Sequence, residues 1–576
     1  MCRQESTLPG AAARARDIVA EPLPPVSEAS QEGSGRRILL VVLPYRVGDA
    51  TTDASKKAIR SFLAFPYGVL TLASYVRRFA NRLGRIEVLD LNLPSERAPD
   101  VLLHQKLAEL EPDIVGFSMS YDVSFAWLKS LSGQVKRYDK NICVVAGGPA
   151  VTTAYAEILA ECEHLDAACY SEGEVGLKNL IEADDPEDAI VKDPWVTRAK
   201  LSKKAVVSPL YDDLDNIIDV DYSLVETHAY SMKEAFSPFT KFKESSKQFF
   251  IVTSRGCPFK CVFCAEPSFH GANMRYANVD RVVAHVAQLK EKYDLNVLTI
   301  YDDQILMNRS RAKELFAKLA ALKIRVEMPN GVTLSYIDEE LAHLMKGAGV
   351  DTIFLAIEHG SKRVLKDIIR KPIAFNRIKP TIQLLQSAGI FTCAFFVIGL
   401  PGETRNERQE TRDAIYNWGL DWAFFNYATP LRGSELFRVC KENNWIEEKY
   451  LPIGAIDMTD YVIRAPGMDK EEIKQTVFEM NLDLNFVHNR NLRVGNLHMA
   501  YQAFKEVVER HPGQPFAHYF MARCLERSGG NKSKVDEHYR RYRQIVGASQ
   551  VWRNAAEKFG LHLAPRREAQ EIRIGA

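Results

Sequence analysis

Along the first third of the chain, short apolar, β-branched runs alternate with stretches whose apolar positions recur every three or four residues. Residues 38–43, 86–90, 114–117, 143–146 and 167–170 read as strands, and residues 67–79, 101–110, 125–138 and 154–160 as amphipathic helices between them. Strands joined by crossover helices predict an α/β fold, here an N-terminal doubly wound parallel sheet over residues 37–182. A second alternation begins with a strand at 249–252. It continues through strands at 296–301, 324–328, 352–357, 391–398 and 422–427, with a helix at 310–322. Six such βα units predict a partial parallel barrel over residues 249–445. Residues 183–248 lack this alternation and read as a linker whose acidic residues form a solvated face. From residue 470 the pattern is helical, giving a C-terminal helical region over 446–576. Residues 1–36 mix Arg, Glu, Pro, Ala and Ser without an apolar segment; they read as a disordered lead-in and not as a secretory signal.

Composition narrows this picture without redirecting it. The chain of 576 residues is too long for one ordinary core and is 46% hydrophobic and 26% charged, as in a soluble protein of several domains. A net charge of +1 gives no bulk attraction for nucleic acid or an anionic membrane. No run approaches the ~20 apolar residues that span a bilayer. Most of the ten cysteines are scattered, which suits a reducing cytoplasm better than a disulfide framework.

The exception is the stretch QFFIVTSRGCPFKCVFC at 248–264, where a predicted strand breaks at Arg255-Gly256 and the loop presents Cys257, Cys261 and Cys264. Three thiolates at this spacing can hold three irons of a cubane cluster and leave the fourth open for chemistry. The competing reading is a zinc site in which His270 completes a Cys3His set. Polar and small residues also collect at the carboxyl ends of the predicted strands, where α/β sheets and barrels bind ligands. In the first domain these are Ser118, Ser120, Gly147, Gly148, Gly173 and Glu174; in the second they are Asp302-Asp303, Glu358-His359 and the phrase IGLPGET after residue 397.

The C-x3-C-x2-C loop resembles the signature of the radical S-adenosylmethionine (SAM) enzymes. AIEHGSKRVL and FFVIGLPGET are similar to later phrases of that family. The resemblance implies a [4Fe–4S] cluster on Cys257, Cys261 and Cys264, with SAM chelating the open iron. It further implies SAM contacts from Phe263, Asp302, Glu358 and Ile398, with Glu358 on the ribose hydroxyls. His359 stands where the family usually has serine and receives no role. The domain ahead of this loop resembles the cobalamin-binding domain found before many such enzymes, through the serines, the GGP turn and the SEGE turn. Its first βα loop, PYRVGDATTD, lacks the histidine that ligates cobalt from below in the cobalamin mutases.

Together these resemblances imply a cobalamin-dependent radical SAM methyltransferase acting on an unactivated carbon through a 5′-deoxyadenosyl radical and methylcobalamin. The same architecture also serves cyclisation, rearrangement or oxidation; a zinc-stabilised interaction scaffold is the reading from another class. An electron donor such as flavodoxin or ferredoxin is expected, and a small-molecule or carrier-bound substrate. In the C-terminal region Ala500, Phe504, Val507 and Pro512 resemble half of a tetratricopeptide repeat. A helical cap is favoured there over a docking surface for a protein partner, with Tyr501, Phe504, Phe516, Tyr519 and Phe520 as its core.

Overall fold

The computed structural model describes residues 35–45, 63–201, 210–230, 235–239, 246–456 and 458–561. The expected lead-in and most of the PYRVGDATTD loop lie outside them. The N-terminal sheet comprises β1 (Arg36–Val42), β2 (Leu83–Asp90), β3 (Ile114–Ser118), β4 (Cys143–Gly147), β5 (Ala167–Cys169) and β6 (Trp195–Val196), in the order β2-β1-β3-β4-β5-β6. The first five run parallel, and the two-residue β6, too short to leave a sequence pattern, pairs antiparallel with β5. Helices α1 (Tyr67–Phe79), α2 (Pro99–Leu110), α3 (Phe125–Tyr138), α4 (Pro149–Glu161) and α5 (Glu174–Glu182) cross between the strands. Since β1 has β2 on one side and β3 on the other, the chain winds away in both directions and opens a crevice at their carboxyl ends.

Alternate residues of β1 serve two cores. Leu39, Val41 and Leu43 pack into a layer of their own, while Ile38, Leu40 and Val42 join a core that continues into the second domain. At the junction the Phe65 ring stacks on Phe249 of the barrel at 5.3 Å and on Tyr230 of the connecting segment at 4.7 Å. That segment is no simple solvated face. Asp221 pairs with Arg77 of α1 at 2.7 Å, and Asp219 with Arg281 at 2.8 Å. Acids set among apolar neighbours here bridge both domains, an outcome that depends on partners far away in sequence.

The barrel half holds β7 (Gln248–Ile251), the clasp β8 (Ser254–Arg255) and β9 (Arg275–Tyr276), then β10 (Val297–Ile300), β11 (Arg325–Glu327), β12 (Thr352–Glu358), β13 (Phe391–Ile398) and β14 (Trp422–Tyr427). All six expected barrel strands form. They pair in parallel as β11-β10-β7 and β12-β13-β14, joined by a bridge between Val332 and Leu355. Every residue of β12 is buried, as parallel strands covered on both faces require. Around them stand α6 (Val279–Tyr293), α7 (Arg309–Leu319), α8 (Glu339–Gly347), α9 (Ile378–Ser387), α10 (Arg405–Trp418) and α11 (Glu435–Glu442). The GET of IGLPGET starts α10 as a capping box, Thr404 and Glu407 each accepting from the other's backbone N–H.

Among the C-terminal helices, α12 (Lys470–Leu482) runs along the barrel with Ile473 beside Gly399 at the carboxyl end of β13, while α13 (Leu497–Arg510), α14 (Pro515–Arg527), α15 (Lys532–Ala548) and α16 (Gln550–Lys558) cover the amino ends of β13 and β14. Trp422, the first residue of β14, meets Phe486 at 5.5 Å, and Phe486 stacks on Phe504 at 5.6 Å. Phe504, Phe516 and Phe520 are buried here and Tyr501 and Tyr519 pack against them, so the expected aromatic core forms. Phe504→Ala should cost about 3–5 kcal/mol locally. Hydrogen exchange is expected to show lost protection in α13 and α14 with β7–β14 unchanged; loss throughout would mean the region is no separate cap.

Candidate functional site

The cysteine loop is held at both ends. β8 and β9 pair antiparallel across its base, and Gly256, at φ 99°, lies so close to the Asn273 carbonyl that a Cβ would strike it. Within the loop the Cys257 N–H donates to the Gly271 carbonyl at 3.1 Å, and the Cys264 N–H to the Cys261 carbonyl at 3.0 Å. Cys257 is buried and the other two are half-buried, all as free thiols. Burial pushes Cys261 up to about 11 and Cys264 up to about 12, each raised further by the neighbouring cysteines. Three thiols close enough to feel one another suit a ligand that brings its own positive charge, as an iron–sulfur core does. His270 does not complete a zinc set: its Nδ1 meets Glu172 at 2.9 Å. Among the described residues no three His, Cys, Asp or Glu side chains are arranged around a single ion.

At the ends of the neighbouring strands the acids take different parts. Asp302 spends both carboxylate oxygens on the turn from β7 into β8, accepting from the Thr253 N–H at 2.5 Å and from the Thr253 and Ser254 hydroxyls at 2.6 Å each. Burial, with Glu266 as the next cause, pushes its neighbour Asp303 up to about 9. Glu358 ends β12 at φ 74°, a left-handed conformation that is strained for a side chain of this kind, and is only 8% exposed. Its partner at 2.8 Å is Lys371, itself buried; burial opposes the lysine's charge, but Glu358 raises its pKa and keeps it an ammonium. Lys371 follows IIR in an unremarked loop, and no spacing pattern pointed to it. Phe263 is half-buried beside Cys264, and Ile398 is fully buried at the end of β13.

His359 acquires a role. Its Nδ1 accepts the Ser361 N–H at 3.0 Å, so Nε2 carries the proton and donates to Glu403 at 3.3 Å. The other Glu403 oxygen accepts the Gly399 and Leu400 N–H groups at 2.6 and 2.9 Å. The histidine thus braces the IGLPGET turn from the neighbouring strand.

In the first domain all six sheet-edge residues, Ser118, Ser120, Gly147, Gly148, Gly173 and Glu174, line one cavity of about 370 Å³. Val252, Arg255 and His270 close it from the barrel side. The wall between the domains is ionic. Arg255, two residues before Cys257, pairs with Glu174 at 2.7 Å and Glu172 at 3.3 Å, and Arg275 pairs with Glu172 at 2.7 Å. Burial opposes the Glu172 charge, but hydrogen bonds from His270 and Arg275, with the Arg255 charge, hold its carboxyl well below the usual range.

The chain carries two recognisable domains: the radical SAM superfamily matches residues 251–415, and the B12 binding domain residues 60–181. A methyltransferase of uncharacterised role from Pyrococcus horikoshii is 27% identical over 71% of this chain and 84% of its own. Cytidylyl-2-hydroxyethylphosphonate methyltransferase of Streptomyces wedmorensis is 33% identical over 46% of this chain and 51% of its own. The fold is shared with TsrM of Kitasatospora setae, a radical SAM methyltransferase solved with cobalamin and a [4Fe–4S] cluster: TM-score 0.58 and 14% identity, over 89% of this chain and all of that one. The protein is a radical SAM enzyme. More particularly it is one with a B12-binding domain ahead of the barrel, and its cofactors are a [4Fe–4S] cluster, SAM and cobalamin.

Because the folded Glu172 lies below the ~4.3 of a free glutamate, its charge stabilises the junction fully above about pH 4.3. That contribution fades as pH falls further. Glu172→Gln should lower stability by about 3 kcal/mol near neutrality and less in acid. Thermal midpoints of variant and parent that stay equally far apart across that range would refute the assignment.

Proposed function

We propose that the protein is a cobalamin-dependent methyltransferase acting on an unactivated carbon of a small-molecule or carrier-bound substrate, working in the cytoplasm with flavodoxin or ferredoxin as electron donor. The observation that carries this reading is the single cavity lined by the sheet edge of one domain and by residues beside the cysteine loop of the other. Relatives named as methyltransferases support methyl transfer, while others named as cyclases keep cyclisation as the alternative reading.

When bound, the cofactors supply one-electron cleavage of SAM to a 5′-deoxyadenosyl radical and a methyl group carried on cobalt. The chain's part is to hold and to enclose. Cys257, Cys261 and Cys264 bind the cluster. Phe263 and Ile398 offer apolar surface to the adenine of SAM, and Glu358 two acceptor oxygens to its ribose. Lys371, paired with Glu358 and near enough to Cys257 and Cys261 to interact with them, offers a buried cation suited to the carboxylate of SAM. Asp302 acts one step back, fixing Thr253 and Ser254 and so the entry to the cysteine loop. Ser118 and Ser120 give the corrin side chains hydrogen-bonding partners, while Gly147, Gly148 and Gly173 leave room for the ring and Glu174 holds Arg255. The aromatic and aliphatic walls exclude water from radicals.

After reconstitution with iron, sulfide and hydroxocobalamin, roughly four irons and one cobalt per chain should survive desalting. Cys257→Ala should lose the iron and keep the cobalt. Gly148→Val should do the reverse, because Gly148 sits at φ 109° with the Met119 carbonyl oxygen 2.8 Å from where its Cβ would stand. Methyl label from SAM should then pass to product. Cobalt lost on desalting from the parent, with iron retained, would leave radical SAM chemistry and overturn methyl transfer through cobalamin.

A further inference from the structure

Beside the cysteine loop, and sharing no lining residue with the cavity between the two domains, lies a cleft of about 640 Å³. Four of the residues lining it are cations, Lys362, Lys366, Arg370 and Lys371, and none is an acid. The cleft is bonded directly to the loop: the Val262 N–H, between Cys261 and Cys264, donates to the Ile369 carbonyl at 3.2 Å. Lys371 is committed to Glu358, and Arg370 to Glu435; Asp367 lies exposed on the same turn. Against these, Lys362, Lys366 and Lys260 of the loop itself are exposed and form no ion pair among the described residues, Lys362 resting over the Phe375 ring at 5.1 Å. The rim therefore keeps a net positive charge within one strand-end of the thiols.

We propose that this basic cleft is the docking face of an acidic one-electron donor protein, a proposal that rests on the cluster being held by Cys257, Cys261 and Cys264. Charge complementarity selects such a partner and accelerates its encounter. The position matters as much as the sign. None of the residues lining the cavity between the domains lines this cleft, so a donor seated here meets the loop without occupying that cavity. With flavodoxin as donor, the anionic flavin hydroquinone gives up one electron to become the neutral semiquinone, and the 2+ cluster accepts it to become 1+. No bond forms or breaks and no proton is needed.

The test uses the reconstituted holoenzyme and a double variant, Lys362→Glu with Lys366→Glu, both positions being exposed and outside the cofactor cavity. Iron content is measured first, so failure of the cluster assignment shows before any reductant is added. Stopped-flow absorbance then follows semiquinone formation by flavodoxin hydroquinone and, separately, cluster bleaching by photoreduced deazariboflavin, a small uncharged reductant. In the parent the flavodoxin rate should fall as salt is raised. In the variant it should be about tenfold slower and less salt-dependent, with the deazariboflavin rate unchanged. An unchanged flavodoxin rate would overturn the proposal, as would an equal slowing with both reductants. Weakened SAM or substrate affinity at an unchanged flavodoxin rate would instead assign the cleft to a small anion, and overturn it too.

Discussion

The geometry of the whole site depends on one buried ionic junction. Glu172 and Glu174 leave the carboxyl end of β5, Arg255 and Arg275 flank the cysteine loop, and all four are at most 8% exposed. Charges removed from water to this extent are tolerated only when each finds its counterpart at hydrogen-bonding distance. Two carboxylates and two guanidiniums supply that balance, and His270 and the Tyr211 N–H occupy remaining acceptor positions on Glu172. The apolar contact of Phe65 with Phe249 holds the domains together without specifying an angle; the ion pairs are directional and set it.

Behind the junction, the barrel mouth uses backbone conformation and second-rank side chains to place a few groups well. Glu358 sits in a strained left-handed conformation and is retained there by Lys371. The IGLPGET turn has its Gly399 carbonyl bonded by the Tyr461 hydroxyl at 2.8 Å, while Glu403 gathers its N–H groups and His359 steadies Glu403. Asp302 does comparable service for the turn from β7 into β8. In each case a residue at the ligand-binding end acts on another residue or on backbone.

Much of this was legible in the sequence because it is local. Strand periodicity located all six barrel strands and the five parallel strands of the first sheet, and the small residues after β3, β4 and β5 marked the cavity wall. The three cysteines announced themselves by spacing. What stayed hidden was whatever depends on a distant partner. Lys371 carries no spacing signal, and its role emerges only when Glu358, 13 residues earlier, is folded against it. Asp219 and Asp221 read as solvated until Arg281 and Arg77 arrive. Asp302 looked like a ligand because it stands at a strand end, yet its oxygens turn back to Thr253 and Ser254. His359 departed from a family pattern, and only its burial beside Glu403 explains why an imidazole is accommodated.

The placement of Arg255 has a consequence for ancestry and engineering. It lies two residues before Cys257, the first cysteine of the loop, yet its partners belong to the other domain. Each half thus carries part of the other's architecture, and the two cannot diverge independently. A chimera joining the sheet of one such enzyme to the barrel of another would inherit a matched interface only if the acids of the SEGE turn travelled with the arginines that answer them. Otherwise an unpaired charge would be sealed between the modules. This mutual dependence ties the inheritance of the two modules more tightly than their separate folds would suggest.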